Sequence, residues 1–309
     1  MPTTMNNDGI LYNDNTQSYS LNRFKRAIFG YGFSTVNVST THIVNINGGF
    51  STDISGVGTA RRELAATGYG GDRAIFGYGF STADVSITNL VSNTGVVGAN
   101  VTGVGSARSR LAAAGYGLDK AIFGYGIVGT SQQSITNLVS STGVVATDTT
   151  GVGTSRSRLA AAGYGVDKAI FGYGQTGGGN TSTTNLVSNT GVVATDITGV
   201  GTARYDLAAA GYGGDKAIFG YGFTTVNVSM TNLVSSTGVV ATDTTGVGTA
   251  RSALAAAGYG GDKAIFGYGF TTVNELTTNL VTNTGVVATD TFTFGRATKR
   301  QLAATGFGR

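Results

Sequence analysis

The sequence predicts an all-β fold assembled from six copies of one unit, and three observations carry that expectation. The alanine of "AIFGYG" recurs at Ala27, Ala74, Ala121, Ala169, Ala217 and Ala264, at spacings of 47, 47, 48, 48 and 47 residues. The leucine of "LAA" recurs at Leu64, Leu111, Leu159, Leu207, Leu254 and Leu302. The two markers are also out of phase: the first repeat opens at "RAIFGYG" with no "LAA" piece before it, and that piece arrives at the other end as "KRQLAATGFGR". Copies of 40–50 residues are the mark of propellers and solenoids rather than of separate domains. A solenoid gains nothing from the offset. A ring gains closure, because the last strand can pair with the first and remove both sheet edges. The expected architecture is therefore a six-bladed β-propeller of four-stranded blades, with residues 299–308 closing the blade whose second strand is 25–31.

The elements follow in chain order. Residues 1–23 match no part of the repeat and are rich in Asn, Asp, Ser and Thr. They are expected to form an N-terminal arm, mobile alone and ordered only against a partner. Residues 24–309 form the repeat domain. One period, taken over 251–290, contains four strand-sized pieces: "RSALAAAGYG", "DKAIFGYG", "TNLVTN" and "TGVVATD". "GYGGDK" joins the first two and its Gly-Asp pair reads as a two-residue hairpin turn. "TNTG" joins the last two with ordinary turn chemistry. Thr, Val, Ile, Phe and Tyr suit strands. "AIF" is apolar on consecutive residues, so both faces of that strand should be buried. The Ala/Gly-rich "LAAAGYG" fits an innermost strand, where blades narrow toward the axis. The competing reading makes "ARSALAAAG" a short helix ended by its glycine, giving a βα solenoid.

Composition sets bounds. Of 309 residues 40% are apolar, enough for a sizeable core. There is no cysteine, so stability cannot come from disulfides. No run of 18 apolar residues predicts a membrane-spanning helix, and the polar N-terminus lacks a signal-peptide pattern. A net charge of +4, with basic residues spread one or two per repeat, does not form the clustered stripe that nucleic acid requires.

Little of the sequence suggests catalysis. One histidine, no cysteine and two glutamates (Glu63 and Glu275) provide neither a Ser-His-Asp set nor a metal cluster. No cofactor is expected, and His42 is read as a surface side chain. Asp72, Asp119, Asp167, Asp215 and Asp262 sit in the hairpin turn, where Asp bonds its own backbone. Asp53, Asp148, Asp196, Asp243 and Asp290, with Asn100 at the sixth place, precede a basic set formed by Arg61, Arg108, Arg156, Arg204, Arg251 and Lys299. One carboxylate per "TDTTGVG" is too few for calcium, so loop-tying contacts are expected instead. "GYGGD" and "TGVGT" lack the Lys-Ser/Thr of a phosphate loop and are turns.

One segment varies among the copies. After "AIFGYG" they read "FSTVNVSTTHIVN", "FSTADVSITNLV", "IVGTSQQSITNLV", "QTGGGNTSTTNLV", "FTTVNVSMTNLV" and "FTTVNELTTNLV". Loops held by a rigid scaffold are the usual place for recognition. The candidate binding face is therefore formed by segments 33–42, 80–88, 127–136, 175–184, 223–230 and 270–277. Phe33, Phe80, Phe223 and Phe270 are its aromatic residues, and the basic set from Arg61 to Lys299 lies beside them.

Arg251–Ala257 followed by "DKAIFGYG" resembles the inner and second strands of kelch repeats, and the resemblance covers residues 24–309. Gly-Tyr-Gly stands where kelch has a glycine doublet, Leu-Val where it has Tyr-Asp, and there is no Trp. "TNLVSNTGVVATD", "TGVGTAR", "LAAAGYG" and "KAIFGYG" are more closely similar to blocks of virion-associated repeat proteins of tailed bacteriophages, of the marine and cyanobacterial kind. That resemblance implies a virion structural protein on a tail or capsid surface, not an enzyme. It would contact other virion proteins through the arm and attach to a host-surface glycan or protein. The alternative is a purely structural decoration.

Overall fold

The computed structural model describes residues 4–5, 11–12, 24–292 and 297–308. Among them every regular element is a β-strand, and all pairings are antiparallel. The arm expected over 1–23 lies largely outside the described residues; within it Thr4–Met5 pairs with Leu11–Tyr12. No helix among the described residues is long and apolar enough to cross a membrane.

Six sheets repeat one plan, in which an "LAA" strand pairs with an "AIF" strand and that pairs with a "TNLV" strand. In the second sheet these are Ala65–Tyr69, Arg73–Gly77 and Thr88–Val91. The first sheet joins the two ends of the chain. Ala303–Phe307 pairs with Arg26–Gly30 in the register Ala303 to Gly30 through Phe307 to Arg26, and Arg26–Gly30 pairs with Thr41–Val44. The helical alternative for "ALAAAG" is excluded, since Ala255–Tyr259 is a strand.

The fourth piece differs from expectation. Among the described residues only the sixth sheet has a regular fourth strand, Thr291–Phe292. Elsewhere "TGVVATD" holds the third strand by isolated bridges such as Val139 to Val145 and Thr136 to Thr149. One extra residue lies between those bridges, a bulge that breaks the ladder at a sheet edge. Its first valine also points to solvent (Val144 is 66% exposed), so only the second, Val145, packs this edge against the core. The hairpin turn differs too. Tyr69 pairs with Arg73, leaving a three-residue loop whose first two residues, Gly70 and Gly71, are left-handed. Val166 occupies the second of these positions in the fourth sheet with φ 77°, a strained setting for a β-branched residue.

The core is divided into six clusters, each lying between two successive sheets. The consecutive apolar residues of "AIF" require this. Ala27 and Phe29 face the cluster shared with the sixth sheet, while Ile28 faces the one shared with the second. Each phenylalanine reaches the glycine that ends the "AIF" strand of the preceding sheet. A Cβ on Gly77 would lie 2.6 Å from the Phe123 ring, so only glycine fits. Each Phe also packs on the preceding sheet's Tyr, from Tyr31–Phe76 at 5.1 Å through to Tyr268–Phe29 at 5.7 Å, and this series returns to its start.

Backbone bonds between sheets form a cycle as well. Arg110 N–H donates to Glu63 C=O, Arg158 to Arg110, Asp206 to Arg158, Ala253 to Asp206, Gln301 to Ala253, and Glu63 to Gln301, all at 2.8–2.9 Å. The C-terminal segment is thus held like any internal one. Leu302 and Leu159 are equally buried, at 5% exposed. Leu302→Ala is expected to destabilise the protein by about 2–4 kcal/mol, as much as Leu159→Ala. Chemical denaturation of the two variants checks this; a frayed terminus would make the Leu302 effect far smaller.

Candidate functional site

The basic set does not lie on a surface. Arg61, Arg108, Arg156, Arg204, Arg251 and Lys299 are fully buried, which corrects their expected place beside the variable loops. The cause is the tyrosine of "GYG". It takes a left-handed backbone (Tyr173 φ 63°), which turns its ring into the space between sheets. Arg204 stacks on the Tyr173 ring of the preceding sheet at 4.4 Å. It donates to the carbonyls of Tyr221 (2.8 Å) and Thr202 (3.0 Å) and to Asn232 Oδ1 (2.6 Å) in its own sheet. The same stack recurs for Arg61, Arg108, Arg156 and Arg251 at 4.3–4.5 Å. Burial pushes Tyr78, Tyr125, Tyr173 and Tyr221 up to about 12.

The aspartates complete this clamp. Asp148 accepts hydrogen bonds from Ser106 N–H (2.9 Å), Ser106 Oγ (2.6 Å) and Asn137 Nδ2 (2.9 Å), with Arg108 at 3.7 Å. Burial works against its ionisation, but these bonds and the Arg108 charge outweigh burial and hold its carboxyl below the usual range. The loop-tying expectation for this set therefore describes Asp148, Asp196, Asp243 and Asp290. The turn aspartates also link sheets: the C=O of Asp119 accepts from Gly70 N–H at 2.7 Å.

In the first sheet the clamp is built from other residues. His42, expected at the surface, is fully buried because it occupies the place of the "TNLV" asparagine. Lys299 replaces the arginine. Its Nζ lies 2.9 Å from His42 Nε2 and 2.6 Å from Thr40 Oγ1, and His42 Nδ1 lies 3.1 Å from Asp53.

The variable segments are small hairpins. Phe33 bridges Asn37, Phe80 bridges Asp84, and Ile127–Val128 pairs with Ser131–Gln132. Each is tied to the next. Asn37 Nδ2 donates to Ser81 C=O, Gly129 N–H to Asp84, Gln132 Nε2 to Gln175 C=O, and Asn180 Nδ2 to Thr224 C=O. Asn227 then donates to Phe270 C=O, and Asn274 to Ser34 C=O, which completes the cycle. The four phenylalanines are half-buried within this arrangement rather than free platforms. Arg62 lies over Phe33 and Phe80 (5.2 and 4.8 Å), Arg300 over Phe33 and Phe270 (5.3 and 4.3 Å), and Tyr205 against Phe223 (5.5 Å).

Next to these residues lies a site that the motif reading missed. Arg62, Tyr205 and Arg300 are each followed by a member of the backbone cycle: Glu63, Arg110, Arg158, Asp206, Ala253 and Gln301. These six line an open cavity of about 120 Å³ floored by the leucines of "LAA". All six have left-handed backbones, φ 51–57°. Their visible signal was disagreement among the copies immediately before "LAA". A second cavity, of about 170 Å³, is lined by the small residues of the "LAA" strands together with Phe24. Among the described residues no group of three or more His, Asp or Glu could hold a metal ion. No protein-family model matches the chain, and no curated protein is detectably similar to it.

Burial pushes Lys299 down to about 8, and the Asp53 charge only partly offsets this. The unfolded chain, with an ordinary lysine, then binds more protons between pH 8 and about 10.5, so stability rises with pH across that window and is lowest below it. Lys299→Arg combined with His42→Asn rebuilds the clamp of the other sheets around Asp53. The double variant should gain on the order of 1–3 kcal/mol at pH 7 and lose the rise above pH 8. Urea denaturation at pH 7, 8, 9 and 10 reads both.

Proposed function

We propose that the six sheets are the blades of a closed six-bladed β-propeller, and that the protein is a virion structural protein binding a host-surface glycan or protein through one propeller face. Closure is supported by the end-to-end pairing of Ala303–Phe307 with Arg26–Gly30 and by the cyclic backbone bonds through Glu63 and Gln301. The observation that carries the function is where the copies differ. Variation collects in the hairpins after "GYG" and in the residues just before "LAA", and isolated bridges such as Arg62 to Phe80 and Tyr205 to Phe223 join the two groups. The clamp beneath them is nearly constant. A fixed frame carrying variable loops is an arrangement in which recognition residues are commonly placed. Valines at three hairpin tips, Val36, Val226 and Val273, are 61–64% exposed and add apolar contact area. Repeated presentation on a particle would strengthen weak contacts through effective concentration. The arm would join other virion proteins.

The test replaces all six variable segments with the "FTTVNVSMTNLV" sequence. Binding of labelled protein to immobilised surface polysaccharides and outer-membrane fractions of marine bacteria is then measured. Loss of binding with unchanged melting is expected. Unchanged binding would leave the decoration reading, which the hairpin-to-hairpin bonds of Asn37, Asn227 and Asn274 also favour.

A further inference from the structure

The four charged residues of the 120 Å³ cavity are unequally paired. Glu63 is satisfied: its carboxylate accepts from Arg110 Nε at 3.0 Å and Gln301 Nε2 at 2.8 Å, and its side chain is 7% exposed. Asp206 is not. Its nearest partner, Arg158, stands at 3.8 Å, beyond hydrogen-bond reach, although both side chains are only 24% exposed. Arg158 rests on the Tyr205 ring at 5.1 Å, which fixes its plane while leaving its donor edges unused. Beside Asp206 in the cycle, Ala253 has no side chain beyond Cβ, so the wall is open at that point.

A donor-seeking carboxylate and an acceptor-seeking guanidinium thus share one opening over an apolar leucine floor. A ligand with only an anionic group would leave Asp206 without a partner, and one with only a cationic group would leave Arg158 so. A cavity near 150 Å³ holds a benzene-sized molecule, so about 120 Å³ suits roughly five or six heavy atoms. We propose that this cavity binds a small zwitterion of the α-amino-acid class. Its carboxylate lies on Arg158, with the free end of Arg110 alongside, its ammonium on Asp206 in the gap left by Ala253, and its carbon on the leucines. The inference does not depend on the host-binding reading. Burial pushes Asp206 up to about 6, against the opposing charges of Arg158 and Arg110 and with that of Glu63, as befits a carboxylate short of donors. An ammonium ligand would favour its ionised form, so affinity should fall as pH drops below 6.

Titration calorimetry on the full chain at pH 7.5 tests this with glycine, L-alanine, acetate, methylammonium and glycerol. Saturable binding of glycine or alanine, at least tenfold tighter than the other three, is expected. Arg158→Ala and Asp206→Ala should each weaken it at least tenfold, and Ala253 shows that alanine is accommodated at this backbone position. No saturable binding of either amino acid up to 100 mM would overturn the proposal, and so would acetate or glycerol binding equally well. The ligand comparison uses the unaltered protein and stands even if a variant fails to fold.

Discussion

An arginine buried between every two sheets, with one lysine in its place, is the constraint on which the rest depends. A charge removed from water is tolerable only when its donors are met. For Arg108, Arg204 and Arg251 the preceding sheet supplies a tyrosine face, and the arginine's own sheet supplies two carbonyls and an asparagine oxygen. Arg61 keeps the two carbonyls and Arg156 the asparagine oxygen. A neighbouring aspartate orients that asparagine and ties down the loop entering the "LAA" strand. Each sheet interface therefore has two layers: an apolar one of Ala, Ile, Phe and Leu, and a polar one of Tyr, Arg, Asn and Asp, with Lys299 and His42 for the arginine and asparagine in one of them. The apolar layer provides most of the stabilisation, at roughly 25 cal/mol per Å² buried. The polar layer fixes the angle and register between sheets, because its donors and acceptors match in only one arrangement.

This division explains where the copies can differ. Strands whose two faces are buried cannot change without disturbing two clusters at once. A clamp residue changes only where its contacts are replaced. Asn100 stands for the aspartate in the second sheet and still accepts from Thr59 N–H and Asn89, and in the first sheet Lys299 and His42 change together while Asp53 is kept. Freedom remains on the outer side of the clamp, in the hairpins and the charged cavity.

Much of the frame was legible in the sequence. The "AIF" triplet required burial on both faces, the alanines of "LAA" required a crowded strand, and the phase offset required pairing of the ends. Other features needed three dimensions. No sequence rule places a tyrosine such as Tyr173 in a left-handed backbone, so the ring that buries Arg204 could not be anticipated, and the arginines were read as a surface ring. The fourth piece had strand composition, but it buries only its second valine, as at Val145, and a bulge breaks its ladder. For the cavity the signal was present, since positions 63, 110, 158, 206, 253 and 301 carry Glu, Arg, Arg, Asp, Ala and Gln. It was overlooked because variation next to a framework leucine resembles ordinary drift until the backbone cycle joins those positions.

The most direct measurement is the effect of removing one clamp charge while keeping its stem. Arg204→Met leaves the carbonyls of Tyr221 and Thr202 and the Asn232 oxygen buried without a donor. Equilibrium unfolding, with the exposed Lys120→Met as reference, should show a loss of about 3–5 kcal/mol for Arg204→Met and at most about 0.5 kcal/mol for the lysine variant. Equal stability of the two variants would contradict the account, because the sheets would then be held by apolar packing alone.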